Sequence, residues 1–123
     1  MDIVFLRDLR VDTVIGIFDW ERNIRQAVIL DIDMSTDVQR AAASDNIADA
    51  LDYKAVSKRL VSFIQGSQFQ LVETLAERCA ELIRREFNVR WVRLRVNKVG
   101  AVSAATDVGV IIERGEPGCA PPA

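Results

Sequence analysis

Residues 25–38 read Arg-Gln-Ala-Val-Ile-Leu-Asp-Ile-Asp-Met-Ser-Thr-Asp-Val and contain the clearest periodicity in the chain. Apolar positions alternate with mostly polar ones: Val28, Leu30, Ile32 and Met34 against Ile29, Asp31, Asp33 and Ser35. Because successive side chains of a strand point to opposite faces, this period of two predicts a β-strand with one face in a core. Asp31 and Asp33 are therefore interpreted as a solvated face and not as a catalytic pair.

Three other segments have strand character. Residues 3–15 are rich in Val, Ile, Leu and Phe and stop at Gly16, which predicts a strand that runs into a loop. Residues 90–98 and 107–114 alternate again. Their inward positions are all apolar: Val92, Leu94, Val96, Val108, Val110 and Ile112. The small-residue segment 99–106 is predicted to be the loop between these two strands.

Two segments in the middle of the chain have the spacing of amphipathic helices. The first follows Leu51-Asp-Tyr53 and ends near Gly66, and the second covers residues 72–87. Each has one apolar stripe: Val56, Leu60, Phe63 and Ile64 in the first, and Leu75, Cys79, Leu82 and Ile83 in the second. The order strand, strand, helix, helix, strand, strand predicts an α+β fold, a four-stranded antiparallel sheet with both helices on one face.

The chain fits a single domain. Its 123 residues can bury one sizeable core, and residues 1–115 contain every predicted element. Residues 116–123 have the composition of a flexible tail. Four strands leave two sheet edges unpaired, and such edges are often closed by neighbouring subunits, so a homo-oligomer is expected.

Composition argues against several classes of function. A net charge of −2, a pI near 5.1 and scattered arginines argue against binding to nucleic acid or to an anionic membrane. No apolar run approaches the ~18 residues of a membrane span, and Met1-Asp-Ile3 lacks the basic start of a signal peptide. A cytoplasmic protein is expected.

The cysteines and the absence of histidine limit the kinds of catalytic site that the chain can form. Cys79 falls on the apolar face of a helix and Cys119 in the tail, so no disulfide between them is expected. The chain has no histidine, which the usual catalytic zinc sites and Ser-His or Cys-His pairs require. Metal-dependent aldolases and serine hydrolases are therefore excluded, and neither a metal nor a cofactor is expected.

Lys98 is the first candidate for chemistry. The chain has only three lysines among its 16 basic residues, and Lys98 ends a predicted strand at the mouth of a loop. Arginine keeps its proton, whereas a partly desolvated lysine can act as an acid or a base near neutral pH. The alternative is a solvated charge at a strand end, as expected for Lys54 and Lys58 on the polar face of a helix.

Five fragments together resemble bacterial dihydroneopterin aldolases. They are Gly-Ile-Phe-Asp-Trp-Glu at 16–21, Leu-Asp-Tyr at 51–53, Leu-Val-Glu-Thr-Leu-Ala-Glu-Arg at 71–78, Asn-Lys-Val-Gly-Ala at 97–101 and Val-Gly-Val-Ile-Ile-Glu-Arg at 108–114. The resemblance runs from the first residues to about Gly115. It implies the tunnelling fold, in which subunit sheets join into a barrel, with four subunits per ring, two rings per octamer and active sites between subunits.

The resemblance also implies a pterin substrate and assigns residues to it. Glu73, in the first turn of the second helix, corresponds to the pterin anchor, because a carboxylate accepts the paired donors of the 2-amino group and N3-H. The backbone of Leu71 and Val72 would read the rest of the ring edge, and Leu51 is assigned to substrate binding as well. The alternative for Glu73 is a purely local interaction with the helix dipole.

The reaction implied is a retro-aldol cleavage to 6-hydroxymethyl-7,8-dihydropterin and glycolaldehyde. The ring C=N accepts the electron pair, so neither a metal nor a lysine Schiff base is needed. Lys98 would move protons through an ordered water, Tyr53 would help protonate the enol-like intermediate, and Glu21 would meet the substrate side chain. Alternatives are a half-buried structural tyrosine at 53 and a structural salt bridge at 21, and Asp19 and Trp20 are expected to shape the loop.

The sequence departs from the family pattern at two positions, and two other functions are compatible with it. Several relatives have Pro where this chain has Val99, and Asn where it has Asp107, which could change the balance between cleavage and side-chain epimerisation. One rival is the related epimerase of dihydroneopterin triphosphate, for which Arg22 and Arg25 are weak evidence of a cationic cluster. The other is a ring-forming scaffold without catalysis.

Overall fold

The sheet and helices follow the predicted order. The computed structural model describes residues 1–116, in an α+β arrangement with strand order β1-β2-β3-β4, every neighbouring pair antiparallel. The strands are β1 (Asp2–Thr13), β2 (Gln26–Thr36), β3 (Trp91–Lys98) and β4 (Gly109–Gly115). The helices are α1 (Val38–Ser44), α2 (Tyr53–Gln65) and α3 (Val72–Glu86), with 3-10 helices at Asp19–Asn23 and Ile47–Asp49. The predicted four-stranded sheet and its two long helices are confirmed.

A single hydrophobic core lies between the sheet and the long helices. The inner face of β2 is fully buried, as its alternation predicts: Val28, Leu30, Ile32 and Met34. α2 packs against β1, and α3 packs against β3 and β4. Both helices contribute their apolar stripes to the same core, so they cover one face of the sheet, and no helix within residues 1–116 covers the other.

The first strand contains a β-bulge that its sequence pattern did not reveal. The register of β1 on β2 shifts between Leu6 and Leu9, and Asp8 adopts φ +55°. The Asp8 N–H donates to Asp31 Oδ1 at 2.9 Å. The bulge moves the inward positions by one residue, so Leu6 and Leu9 both pack on the core.

The outer face of the sheet is an ion-pair ladder. Asp33 lies between Arg7 at 2.6 Å and Arg93 at 3.7 Å, and Asp31 pairs with Arg95 at 3.1 Å. The two aspartates lie on the outward face, as predicted. They pair with arginines there and are not simply solvated.

The short helix α1 was not predicted. Asp37 caps it by accepting a hydrogen bond from Arg40 N at 3.1 Å, and the strand before it ends at Thr36 and not at Val38. None of its seven residues is buried, so the sequence shows no apolar stripe that would reveal it. Such a helix depends on its cap and its neighbours more than on periodicity.

Other predictions concern the ends and surface of the chain. The predicted tail, 116–123, lies outside the described residues except for Glu116, and Cys119 lies outside them too. Cys79 is a free, buried cysteine, and burial raises its pKa to about 12. Within residues 1–116, no helix has the length and apolar character needed to cross a membrane.

The register defines two ends of the subunit. At the Lys98 end, Lys98 faces Val28 and Thr13 faces Gln26, and at the Trp91 end, Asp2 faces Thr36. The buried hydroxyl of Thr13 donates to the carbonyl of Ile64 at 2.6 Å, so α2 finishes at the Lys98 end. Its other terminus therefore lies toward the Trp91 end.

Gly109 should be indispensable for the pairing of β4 with β3. An added Cβ would overlap the carbonyl oxygen of Val96, whereas a Cβ at Gly66 would come no closer than 3.6 Å to any neighbour. We expect Gly109→Ala to lower the free energy of unfolding by about 2 kcal/mol or more, because backbone strands must separate to admit the methyl group. Urea unfolding at fixed protein concentration measures the change. Gly66→Ala is the control, and an equal effect of both substitutions would contradict the assignment.

Candidate active site

An ion pair at the Lys98 end joins the end of β3 to the loop between β1 and β2. Lys98 Nζ lies 2.6 Å from Glu21 Oε2, and the two side chains are 15% and 4% exposed. Glu21 belongs to the 3-10 helix Asp19–Asn23, which places it against the sheet although it is 77 residues from Lys98 in sequence. Two residues selected separately from the sequence thus form one contact.

The Glu21 carboxylate is held by three donors. Lys98 Nζ and Gln26 Nε2 donate to Oε2 at 2.6 and 2.9 Å, and the Phe18 N–H donates to Oε1 at 3.3 Å. The hydrogen bond from Lys98, followed by that from Gln26, lowers the pKa of Glu21 from 4.5 to about 2. The carboxylate therefore stays ionised at any physiological pH and acts as an acceptor of hydrogen bonds.

Gly16 leaves room for this carboxylate. Its φ of +127° suits glycine, and an added Cβ would overlap the carboxylate of Glu21. The Gly16 N–H points to the carbonyl of Phe69 at 3.4 Å, which brings the loop before α3 to the same place. The role of Gln26 had no signal in the sequence, and Gly16 could have been suspected only as a glycine at the end of a strand.

Glu73 lies at the same end of the subunit. It is exposed in the first turn of α3, directly after the segment that contacts Gly16. The N-cap residue of this helix is Leu71, whose side chain makes no capping hydrogen bond. The first N–H groups of an α-helix have no partners within the helix, so the backbone from Leu71 through Val72 to Glu73 offers donors beside a carboxylate.

Tyr53 and Leu51 lie toward the other end. Tyr53 begins α2 and is 58% exposed, while the last turn of α2 contacts Thr13 at the Lys98 end. With 1.5 Å of rise per residue, the 13-residue helix separates its termini by about 18 Å. Leu51 lines a cavity of about 190 Å³ together with Thr36 and Val89. One subunit therefore brings together Glu21, Lys98 and the start of α3. Its Leu51 and Tyr53 lie away from these residues, toward the other end.

The two arginines considered as a cationic cluster are occupied by backbone carbonyls. Arg22 donates to the carbonyls of Gly16, Phe69 and Gln68, and Arg25 donates to those of Asp12 and Gln65. The two guanidinium groups are therefore not directed at a common point. Trp20 stacks on Phe18 at 6.4 Å between ring centroids, in line with a role in shaping the loop.

Val99 and Asp107 both tie the loop 99–108 to the sheet. The Val99 N–H donates to the Ala27 carbonyl at 3.3 Å, a bond that proline could not make. Asp107 accepts from Asn97 at 2.8 Å and from Arg95 at 3.2 Å. Asp107 is thus part of the ion-pair ladder, and the backbone that follows Lys98 is fixed on both sides.

Acidic residues do not assemble into a metal site here. Within residues 1–116, no group of three or more Asp, Glu or Cys side chains is arranged to hold a metal ion. The arrangement at the Lys98 end offers a cation beside an ionised carboxylate, a second exposed carboxylate and free backbone donors. It is suited to binding a flat polar molecule and moving protons on it.

The Glu21 carboxylate should stabilise the fold in a pH-dependent way. Its pKa is lower in the folded chain, so its contribution is complete above about pH 4.5 and is lost as the pH falls toward about 2. We expect the difference in free energy of unfolding between wild type and Glu21→Gln to be constant from about pH 7 to pH 5 and to shrink below that. Urea unfolding across this range measures it. A difference independent of pH would show that Lys98, Gln26 and the Phe18 N–H together do not lower the pKa of Glu21 in solution.

Comparisons with known proteins fit this geometry. Residues 4–113 match the family model described as FolB, dihydroneopterin aldolase. The chain is 50% identical to the dihydroneopterin aldolase of Escherichia coli K12 over 115 residues, 94% of each chain. It is 27% identical to the dihydroneopterin triphosphate 2'-epimerase of the same organism over 110 residues, 89% of this chain and 92% of that relative.

The fold is shared as well. The crystal structure of the E. coli dihydroneopterin aldolase in complex with neopterin superimposes with a TM-score of 0.91 at 50% identity, covering 94% of this chain and 100% of that one. The matched region includes every element that positions Glu21, Lys98 and the start of α3. The chain belongs to the dihydroneopterin aldolase family.

Proposed function

We propose that this protein is a dihydroneopterin aldolase that cleaves 7,8-dihydroneopterin into 6-hydroxymethyl-7,8-dihydropterin and glycolaldehyde, a step of folate biosynthesis. The observation that supports it most directly is the buried pair of Lys98 and Glu21 beside the uncapped start of α3. A cation, a carboxylate and a hydrogen-bonding edge are what a reaction on a pterin side chain requires. Membership of the family adds the substrate class.

Glu73 anchors the pterin ring in this proposal. Its exposed carboxylate accepts hydrogen bonds from the 2-amino group and N3-H, and the two parallel donors fit a bidentate acceptor. The backbone N–H groups of Leu71 and Val72 read the neighbouring ring atoms, because no side chain caps them. The ring would then lie with its 6-substituent toward Glu21 and Lys98.

Lys98 and Tyr53 carry out the proton transfers around the breaking bond, and Glu21 binds the substrate side chain. The 2'-hydroxyl loses its proton through an ordered water next to Lys98, the C1'–C2' bond breaks, and its electron pair enters the ring C=N. Glycolaldehyde leaves from C2' and C3', and C1' is then protonated to give the hydroxymethyl product, with Tyr53 as a donor. Lys98 is engaged by Glu21 at 2.6 Å, which supports a proton-transfer role and argues against a Schiff base. The proposal requires no metal.

Each active site is shared by two subunits. Leu51 and Tyr53 lie far from Lys98 in one chain, so a neighbour must supply them if they act on the same substrate. β1 and β4 are the unpaired edges of the sheet and provide the surfaces through which subunits join. We propose rings of four subunits, stacked in pairs as an octamer, in the cytoplasm.

The epimerase of the triphosphate is the less supported alternative. A triphosphate requires several cations directed at one place, and Arg22 and Arg25 are instead bonded to backbone carbonyls in two different positions. Epimerisation of dihydroneopterin itself remains compatible with the same intermediate and the same residues. The loop after Lys98, held by Val99 and Asp107, is where the balance between the two outcomes would be set.

Cleavage of dihydroneopterin should depend on Lys98. We expect the wild type to release glycolaldehyde and 6-hydroxymethyl-7,8-dihydropterin in the presence of a chelator, and Lys98→Ala to lose roughly a hundredfold to ten-thousandfold in kcat. Separation of the products by chromatography measures both. Lys58→Ala, which removes an exposed lysine from α2, is the matched control and should keep full activity.

Two results would contradict this function. Epimer formed only from the triphosphate would identify the epimerase, and no turnover of either substrate would favour a scaffold. Equal activity of Lys98→Ala and wild type would be consistent with the aldolase function but would show that Lys98 has no part in its mechanism.

Mixed oligomers test whether sites are shared between subunits. Lys98→Ala and Tyr53→Ala chains should each be impaired alone, and co-expression with different tags should restore about a quarter of wild-type activity, since a random half of each contribution is intact. Assay of oligomers purified through both tags measures the recovery. Activity no higher than that of the separate variants would show that Lys98 and Tyr53 act within one chain.

A further inference from the structure

We propose that Arg22 is a positioning residue that fixes the pterin-binding start of α3 relative to the Glu21–Lys98 pair. Arg22 is adjacent to Glu21, and its guanidinium spans two segments of backbone. Nη1 donates to the Gly16 carbonyl at 3.0 Å and to the Phe69 carbonyl at 3.1 Å, while Nη2 donates to the Gln68 carbonyl at 2.5 Å. The inference rests on the proposed function, because it joins the two halves of that site.

Arg22 provides most of the polar connection between these segments. Among the hydrogen bonds described for residues 1–116, the other direct link between the Gly16–Asn23 loop and residues 67–71 is Gly16 N–H to the Phe69 carbonyl, at 3.4 Å. Gln26 donates to the Glu21 carboxylate and to the Ile15 carbonyl, and neither bond involves the start of α3. Removing the Arg22 side chain therefore removes the bonds that tie this loop to Gln68 and Phe69 through a side chain, and leaves the Gly16 N–H bond to Phe69 and the contacts of Thr13 with Ser67.

The side chain is suited to this task in a way that lysine is not. A guanidinium presents five donors in a rigid fork, so it can hold three carbonyls at fixed angles. The Arg22 side chain is half-buried, which limits competition from water. A lysine has one ammonium group and could satisfy only part of this set, so Arg22→Lys should recover only part of the function.

The loss of Arg22 should affect kcat because the two ends of the substrate would be bound by different segments of the chain. The ring would be bound at Glu73 and the side chain at Glu21 and Lys98, so a shift between them misaligns the breaking bond without weakening either end. A misplacement of about 1 Å can reduce the rate about a hundredfold. A ligand that contacts only the ring-binding half should be insensitive to the same shift.

The test compares Arg22→Ala with Arg25→Ala. Arg25 also donates to two carbonyls, those of Asp12 and Gln65, but these lie in β1 and at the end of α2 and not at the start of α3. We expect Arg22→Ala to lower kcat for dihydroneopterin by about 10- to 100-fold while the Kd for guanine, which carries the same paired donors without the side chain, changes less than about threefold. Arg25→Ala should keep kcat within about threefold.

Amide hydrogen exchange provides a readout that does not depend on turnover. Exchange at Gly16 and Leu75, whose N–H groups donate to the carbonyls of Phe69 and Leu71, should be faster in Arg22→Ala than in wild type and unchanged in Arg25→Ala, with circular dichroism confirming that both variants are folded. Unchanged exchange at these residues, or a wild-type kcat in Arg22→Ala, would overturn the positioning role. So would a loss of guanine affinity as large as the loss of kcat, because it would mean that the ring-binding half itself had collapsed. A wild type that does not cleave dihydroneopterin would instead overturn the proposed function, and the exchange result would still decide the role of Arg22.

Discussion

The burial of one carboxylate organises the functional end of this subunit. Moving an ionised carboxylate out of water is unfavourable by several kcal/mol unless charge and hydrogen bonds compensate it. Glu21 obtains that compensation only where Lys98, Gln26 and the Phe18 N–H converge. The path of the loop between β1 and β2 follows from this requirement, and Gly16 is where the backbone passes too close to the carboxylate to carry a side chain.

The same contact gives the sheet its functional direction. The register of β2 against β3 places Lys98 opposite Val28, at the end where α2 finishes and α3 begins. The start of a helix presents donors and the end of the sheet presents the ion pair, so one end of the subunit is equipped for a ligand. The opposite end holds Leu51 and Tyr53, and the edges of the sheet remain open. A site of the proposed kind that includes Tyr53 would therefore require two subunits.

Periodicity predicted the parts of the fold that the core determines. β2 alternates because one face is fully buried, and α2 and α3 each show a single stripe for the same reason. The bulge at Asp8 and the helix α1 escaped prediction because each involves a single hydrogen bond from a backbone N–H to a carboxylate, from Asp8 across the sheet to Asp31 and from Arg40 to Asp37. Single bonds of this kind leave no repeat in the sequence.

The residues of the candidate site could be predicted from the sequence only in part. Lys98 was selected as a rare lysine at a strand end, Glu21 and Glu73 were selected by their resemblance to a family, and the structure brings all three to one end of the subunit. Gln26 and Arg22 were not selected for the roles that they have here, since no sequence pattern distinguishes a glutamine at the start of a strand or an arginine between strands that makes a structural bond from one that is solvated. Their partners are backbone carbonyls and a carboxylate that only the folded chain brings within reach.

The unequal use of lysine and arginine has a physical explanation in these contacts. Thirteen of the 16 basic residues are arginines, and most of them bind carboxylates on the sheet and helices or carbonyls in the loops. Arginine suits that task because it keeps its proton and offers a rigid fork of donors. Proton transfer requires the opposite property, a cation that can give its proton up. Lys98 is the lysine placed in a half-buried ion pair, and Lys54 and Lys58 lie exposed on α2. The chain therefore separates two kinds of contact by residue type: arginines bind carboxylates and backbone carbonyls, and the proposed proton transfer is assigned to the lysine that pairs with Glu21.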